Sequence, residues 1–123
     1  MAIQAKLVHR CTHVLDLDAS LAFYRDALGL SEVRRFGPPD GSWVNVFLSN
    51  DQAPFELELT WNDGHEEPYD NGGDDTHIAV TVPDIQAAHA LHEQMGCVVY
   101  ENTAMGLYFI ADPDHCWIEI MQG

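Results

Sequence analysis

His77-Ile78-Ala79-Val80-Thr81-Val82-Pro83-Asp84-Ile85 decides the fold, because the first half of the chain carries its counterpart, His9-Arg10-Cys11-Thr12-His13-Val14-Leu15-Asp16-Leu17. Each stretch opens on a histidine, continues as an extended, β-leaning segment, and reaches an aspartate seven residues after the histidine. A helical pattern follows both times. In the first half Leu17, Leu21, Tyr24 and Leu28 fall on one face and Gly29 ends the run; in the second, Ile85, Ala88, Leu91 and Met95 form the apolar stripe and Gly96 ends it. Both glycines stand where a helix C-cap is expected.

Working outward, three strands follow each helix. The first set is expected at Glu32–Phe36, Trp43–Leu48 and Phe55–Thr60, the second at Val98–Glu101, Leu107–Ala111 and Trp117–Met121. Turn chemistry separates them at Pro38-Pro39-Asp40-Gly41, Asn50-Asp51 and Asp112-Pro113-Asp114. The chain therefore reads as α+β, two tandem β-α-β-β-β modules, with the eight strands expected in one mixed sheet. The first module spans 1–63, an acidic, glycine-rich connector spans 64–75, and the second module spans 76–123.

The repeat extends to chemistry. The last strand of the first module holds Leu57-Glu58-Leu59, and that of the second holds Ile118-Glu119-Ile120. Successive strand side chains point to opposite faces, so Glu58 and Glu119 turn away from the aliphatic residues that flank them. Each module thus contributes one histidine from its first strand and one glutamate from its last. Two imidazoles and two carboxylates make an N2O2 donor set with a charge of −2. Divalent nickel, cobalt, zinc or manganese suits such a set, whereas calcium prefers oxygen ligands alone. Around an octahedral ion, four ligands leave two positions open, which is the mark of a catalytic centre. His9, Glu58, His77 and Glu119 are accordingly the expected metal ligands.

The remaining histidines carry less weight as ligands, and His115 pairs with nothing at ligand spacing. His65 lies in the connector, while His89 and His92 are placed on the polar, solvent-facing side of the second helix. His115 follows a turn. Trp43, Trp61 and Trp117 read as core or interface packing.

Composition narrows the partners. The chain has 123 residues, 46% of them apolar, which is enough for one core. With 5 basic against 20 acidic side chains the formal charge is −15, so nucleic acid and anionic membranes are repelled. There is no signal-peptide pattern at the start and no apolar run long enough to span a bilayer, so a soluble, cytoplasmic protein is expected. Three cysteines, Cys11, Cys97 and Cys116, form no C-x-x-C spacing and are expected as reduced thiols.

The chain resembles glyoxalase I (lactoylglutathione lyase) of the vicinal oxygen chelate superfamily over essentially its whole length. The matching segments are His9 with Leu17 through Leu30, Glu56-Leu57-Glu58-Leu59-Thr60-Trp61-Asn62, Thr76 through Val80, and Asp112-Pro113-Asp114 running into Trp117-Ile118-Glu119-Ile120. The Phe23-Tyr24…Leu28-Gly29-Leu30 and Asp-Pro-Asp segments occur throughout the superfamily. The Glu-Leu-Thr-Trp-Asn segment together with all four ligands is more specific. The resemblance implies a homodimer whose sites lie between subunits, with His9 and Glu58 from one chain and His77 and Glu119 from the other. It implies conversion of the methylglyoxal–glutathione hemithioacetal into S-D-lactoylglutathione through an enediolate, with glutathione as co-substrate. The short chain looks like the nickel- or cobalt-activated class. Glu119 is the implied catalytic base, Glu58 its counterpart for the opposite enantiomer, and Asn62 a contact to the thiol. The chain departs from the family pattern in having His13 where a basic glutathione contact usually lies, and His115 where a glycine usually follows Asp-Pro-Asp.

Two other classes of function compete. Another metal-dependent enzyme of the superfamily, a thiol transferase or ring-cleaving dioxygenase, would need only three of the four ligands. A metal-free protein that sequesters a small molecule would need none.

Overall fold

Both helices are fixed at their ends by local chemistry. A computed structural model of the chain describes residues 2–72 and 75–123, so residues 73 and 74 of the connector lie outside the described residues. Helix α1, Leu17–Leu28, starts at Asp16, whose carboxylate accepts from the Ala19 amide, and α2, Ile85–Met95, starts at Asp84, which accepts likewise from Ala87. Such caps satisfy amide donors that have no partner within the helix. Gly29 and Gly96 close the helices at φ 66° and 71°, a left-handed conformation that a side chain would disfavour.

The strands are β1 His9–Val14, β2 Ser31–Phe36, β3 Trp43–Asn50, β4 Ala53–Asn62, β5 His77–Val82, β6 Val98–Asn102, β7 Leu107–Ala111 and β8 Trp117–Gln122. Each module is β-α-β-β-β, as the sequence predicts. The expectation of one eight-stranded sheet is corrected: there are two four-stranded sheets, ordered β1-β4-β3-β2 and β5-β8-β7-β6. Hydrophobic alternation sets the pairing within each module, but it does not state whether two modules join edge to edge.

Helices and side chains join the modules instead. The inner faces of the two sheets and both helices share one buried cluster, in which Val14, Tyr24, Val46, Leu59, Ile110, Ile118 and Ile120 are all at most 1% exposed. Polar bonds cross the same boundary. Tyr24 donates its hydroxyl proton to Asp112 Oδ2 at 2.6 Å, and the Leu15 amide donates to Asp114 Oδ1 at 3.1 Å. The two superfamily-wide segments, Phe23-Tyr24 and Asp112-Pro113-Asp114, are therefore in contact with one another.

A second correction concerns α2. Leu91, expected on the buried stripe, is 42% exposed, whereas His92, expected in solvent, is 1% exposed. The helix has rotated so that Ile85, Ala88, His92 and Met95 face inward. The histidine is tolerated there because both ring nitrogens have partners: Nδ1 meets the Tyr108 hydroxyl at 2.7 Å and Nε2 meets the Ala27 carbonyl at 2.8 Å. Among the described residues no helix is long and apolar enough to cross a membrane.

Candidate metal centre

The parallel pairing of the first and last strands of each module carries the site. In the first sheet β1 lies beside β4 with His9 opposite Glu56 and Cys11 opposite Glu58; in the second β5 lies beside β8 with His77 opposite Trp117 and Ala79 opposite Glu119. Each glutamate is thus one pleat beyond its histidine, on the same face. His9 Nε2 is 3.8 Å from Glu58 Oε1, and His77 Nε2 is 3.6 Å from Glu119 Oε1. The flanking Leu57, Leu59, Ile118 and Ile120 are buried on the opposite face, as the alternation requires.

The two pairs match in detail. Phe47 sets its ring edge-on to His9 at 5.4 Å and 85°, and Phe109 does the same to His77 at 5.1 Å and 87°. The structure therefore presents two half-sites of one imidazole and one carboxylate each, on separate sheets. Within the single chain the four donors do not come together at one point. Glu58, at 13% side-chain exposure, and Glu119, at 20%, remain open to an approaching ligand. The donor chemistry fits a divalent ion: each half offers a nitrogen and a carboxylate oxygen less than 4 Å apart, and the two halves together give the N2O2 set.

The surroundings of the halves differ. Beside the first, Arg34 places its guanidinium 3.8 Å above the Phe47 ring and donates to Glu56 Oε1 at 2.8 Å. That hydrogen bond holds the Glu56 carboxyl below the usual carboxylate range. Cys11 lies on the same face, its sulfur 3.3 Å from Thr60 Oγ1. Burial, and then the neighbouring Glu58, push its thiol pKa up. Beside the second half, Tyr100 stacks on Trp117, and Phe109 meets Tyr100 edge-on and Trp117 at a tilt; among the described residues no cation lies over these rings.

Asn62 and His13, expected to contact substrate, meet through a residue that sequence reasoning missed. Tyr69 packs 5.2 Å from the His13 ring, stacks on His65 at 4.0 Å, and accepts from Asn62 Nδ2 at 3.3 Å. Asn71 ties the connector to β1, its side chain accepting from the His13 amide at 2.9 Å and donating to the His13 carbonyl at 3.0 Å. Phe47 and Phe109 were missed as well; only the strand register reveals them. A cleft of about 620 Å³ between Leu15–Asp18 and β2–β3 includes none of the four expected ligands. The half-sites lie on the sheet faces turned away from the core.

A family model described as the Glyoxalase/Bleomycin resistance protein/Dioxygenase superfamily matches residues 6–120. The chain belongs to that superfamily. This glyoxalase-superfamily chain is 35% identical to a probable lactoylglutathione lyase of Synechocystis, over 94% of each chain. It is 34% identical to the lactoylglutathione lyase of Neisseria meningitidis, over 95% of this chain and 90% of that one. Among solved structures it superposes on the trypanothione-dependent glyoxalase I of Leishmania major with a TM-score of 0.81, at 29% identity, covering 97% of this chain and 87% of that one.

Proposed function

We propose that this chain is a metal-dependent glyoxalase I, isomerising the hemithioacetal of methylglyoxal and a thiol, glutathione foremost, to the S-lactoyl thioester. The observation that carries the reading is the repeated histidine–glutamate pair, His9–Glu58 and His77–Glu119, each braced by a phenylalanine edge. The names of the relatives supply the reaction.

A site with one ion requires the halves to meet, and in this reading two copies of the chain pair so that His9 and Glu58 of one face His77 and Glu119 of the other. The exposed aromatic residues of the half-site faces, Phe36 at 49%, Trp43 at 38% and Tyr100 at 51%, support such a covering. A bound divalent ion, nickel or cobalt by preference and zinc or manganese otherwise, supplies Lewis-acid stabilisation of the negative charge that develops on two adjacent oxygens. Glu119 removes the carbon-bound proton and returns it to the neighbouring carbon, which a carboxylate can do when it stands within hydrogen-bond reach of both. Glu58 performs the same task for the opposite enantiomer. His9 and His77 orient the centre, their rings fixed by Phe47 and Phe109. Asn62 and His13, gathered around Tyr69, receive the body of the thiol. Because the Leishmania major relative is described as trypanothione-dependent, the assay compares several thiols.

The test reconstitutes apoprotein with each of the four ions and follows thioester formation from methylglyoxal and thiol. Glu119→Gln is expected to lower kcat by about 10²–10⁴-fold, the range for loss of a positioned base. Glu58→Gln is expected to weaken metal binding and activity together. Full activity in Glu58→Gln would point to a three-ligand enzyme of the same superfamily instead. No thioester with any ion and any thiol refutes the assignment.

A further inference from the structure

A second gathering of metal-type donors sits on the second sheet, on the face opposite His77 and Glu119. His89 and Glu93 stand one helical turn apart on α2, and Glu101 reaches toward them from β6. Glu101 is in register with Tyr108, which is buried toward α2, whereas Phe109 and Glu119 face the other way. His89 Nε2 is 3.5 Å from Glu93 Oε1 and in hydrogen-bond contact with Glu101 Oε1. One donor atom from each lies within 4.8 Å of the other two, and among the described residues no other set of three or more does so.

We propose that His89, Glu93 and Glu101 bind a divalent transition-metal ion, zinc-like in preference, at a site separate from the half-sites of the glyoxalase reading. The competing account is a surface ion pair, and four observations count against it. An ion pair uses one carboxylate, yet two converge on this imidazole, and among the described residues neither has a lysine or arginine partner. A +2 ion neutralises both; a protonated histidine leaves one negative charge over. The donors also come from two elements in suitable geometry. Bonds of about 2.0–2.2 Å in a tetrahedral site put neighbouring donors about 3.3–3.6 Å apart, a spacing that the exposed Glu93 and Glu101 side chains reach by rotating about the half-buried His89.

The ring is braced from behind. His89 lies edge-on to Tyr108 at 4.8 Å and 89°, and the Tyr108 hydroxyl is held at 2.7 Å by the buried His92. Finally, His89 and Glu101 border a groove of about 370 Å³ that also takes in Asn102, Thr103 and Gly106. Three protein donors leave at least one coordination position, and it opens onto this groove, where water or a small oxygen ligand completes the shell.

The test is a calorimetric titration with Zn²⁺ alone on metal-free protein. In the double variant His9→Ala/His77→Ala, which removes a histidine from each half-site, one equivalent per chain is expected to remain. Adding His89→Ala, or independently the nearly isosteric Glu101→Gln, is expected to weaken that binding about 10- to 100-fold while circular dichroism stays unchanged. Unchanged affinity in both of these further variants overturns the proposal, as does a folded double variant that binds no Zn²⁺. A wild-type chain whose only equivalent survives His9→Ala/His77→Ala and vanishes in Glu101→Gln would leave this site standing and sink the catalytic metal reading.

Discussion

Replacing Tyr24 by phenylalanine removes one oxygen atom from the seam between the modules and little else. That oxygen donates to Asp112 Oδ2 at 2.6 Å, with Tyr24 1% exposed and Asp112 4% exposed. The other carboxylate oxygen, Oδ1, accepts from the amides of Asp114 at 2.9 Å and Cys116 at 2.8 Å, so the turn itself keeps its bonds. What is lost is a charge-assisted bond in a buried site, and Oδ2 is left without its donor. Hydrogen bonds to charged groups contribute about 1.5–3 kcal/mol. The expected loss is therefore about 2–3 kcal/mol, a large share of the roughly 5–15 kcal/mol that holds a domain together. Urea unfolding followed by tryptophan fluorescence reads it directly. With a slope of about 1.5 kcal/mol per molar, the midpoint falls by about 1–2 M. The double variant Tyr24→Phe/Asp112→Asn closes a thermodynamic cycle, and a coupling above about 1 kcal/mol is expected between groups in direct contact. A loss below about 0.5 kcal/mol, or a coupling near zero, would show that this bond does not fasten the modules together.

Other substitutions have equally definite signs. His115 holds a left-handed backbone at φ 66° while its side chain is exposed, so His115→Gly is expected to raise stability by about 0.5–1 kcal/mol in the same urea assay. Thr12 buries a hydroxyl that has no hydrogen-bond partner among the described residues, and Thr12→Val should raise the thermal midpoint or leave it unchanged; a clear fall would reveal a partner. Burial pushes the Cys116 thiol from 9.0 up to about 12, so above pH 9 the unfolded chain releases a proton that the fold retains. Stability should then decline as pH rises from about 9 toward 12, and Cys116→Ala should make that decline shallower when midpoints are measured across the alkaline range.

The element order and both helix termini were legible, because Asp16, Asp84, Gly29 and Gly96 signal caps by residue type alone. The facing of Glu58 and Glu119 was legible too, since each stands between aliphatic residues in a strand. The inward face of α2 was not. Ile85, Ala88, Leu91, Met95 and Ile85, Ala88, His92, Met95 both satisfy helical spacing, and hydrophobicity favoured the wrong one. The partners that make His92 acceptable in the core, Tyr108 and the Ala27 carbonyl, lie far off in sequence. Arg34 could not be placed because β2 slips register between Glu32 and Arg34, and that irregularity turns the guanidinium toward Phe47. Tyr69 was hidden in a connector whose composition announced only a loop. The division into two sheets escaped for a related reason: contacts between repeats depend on shape, which a one-dimensional pattern does not carry.

Glu58 and Glu119 occupy the same position of a repeated unit, yet their company differs. One shares its sheet face with a guanidinium paired to Glu56 and the other with a cluster of Tyr100, Phe109 and Trp117. A small molecule lying across both would meet an ionic bank on one side and an aromatic wall on the other. Pseudo-symmetry of the backbone is thereby broken at the level of chemistry, and a molecule with unlike ends has a preferred orientation before any bond is made or broken.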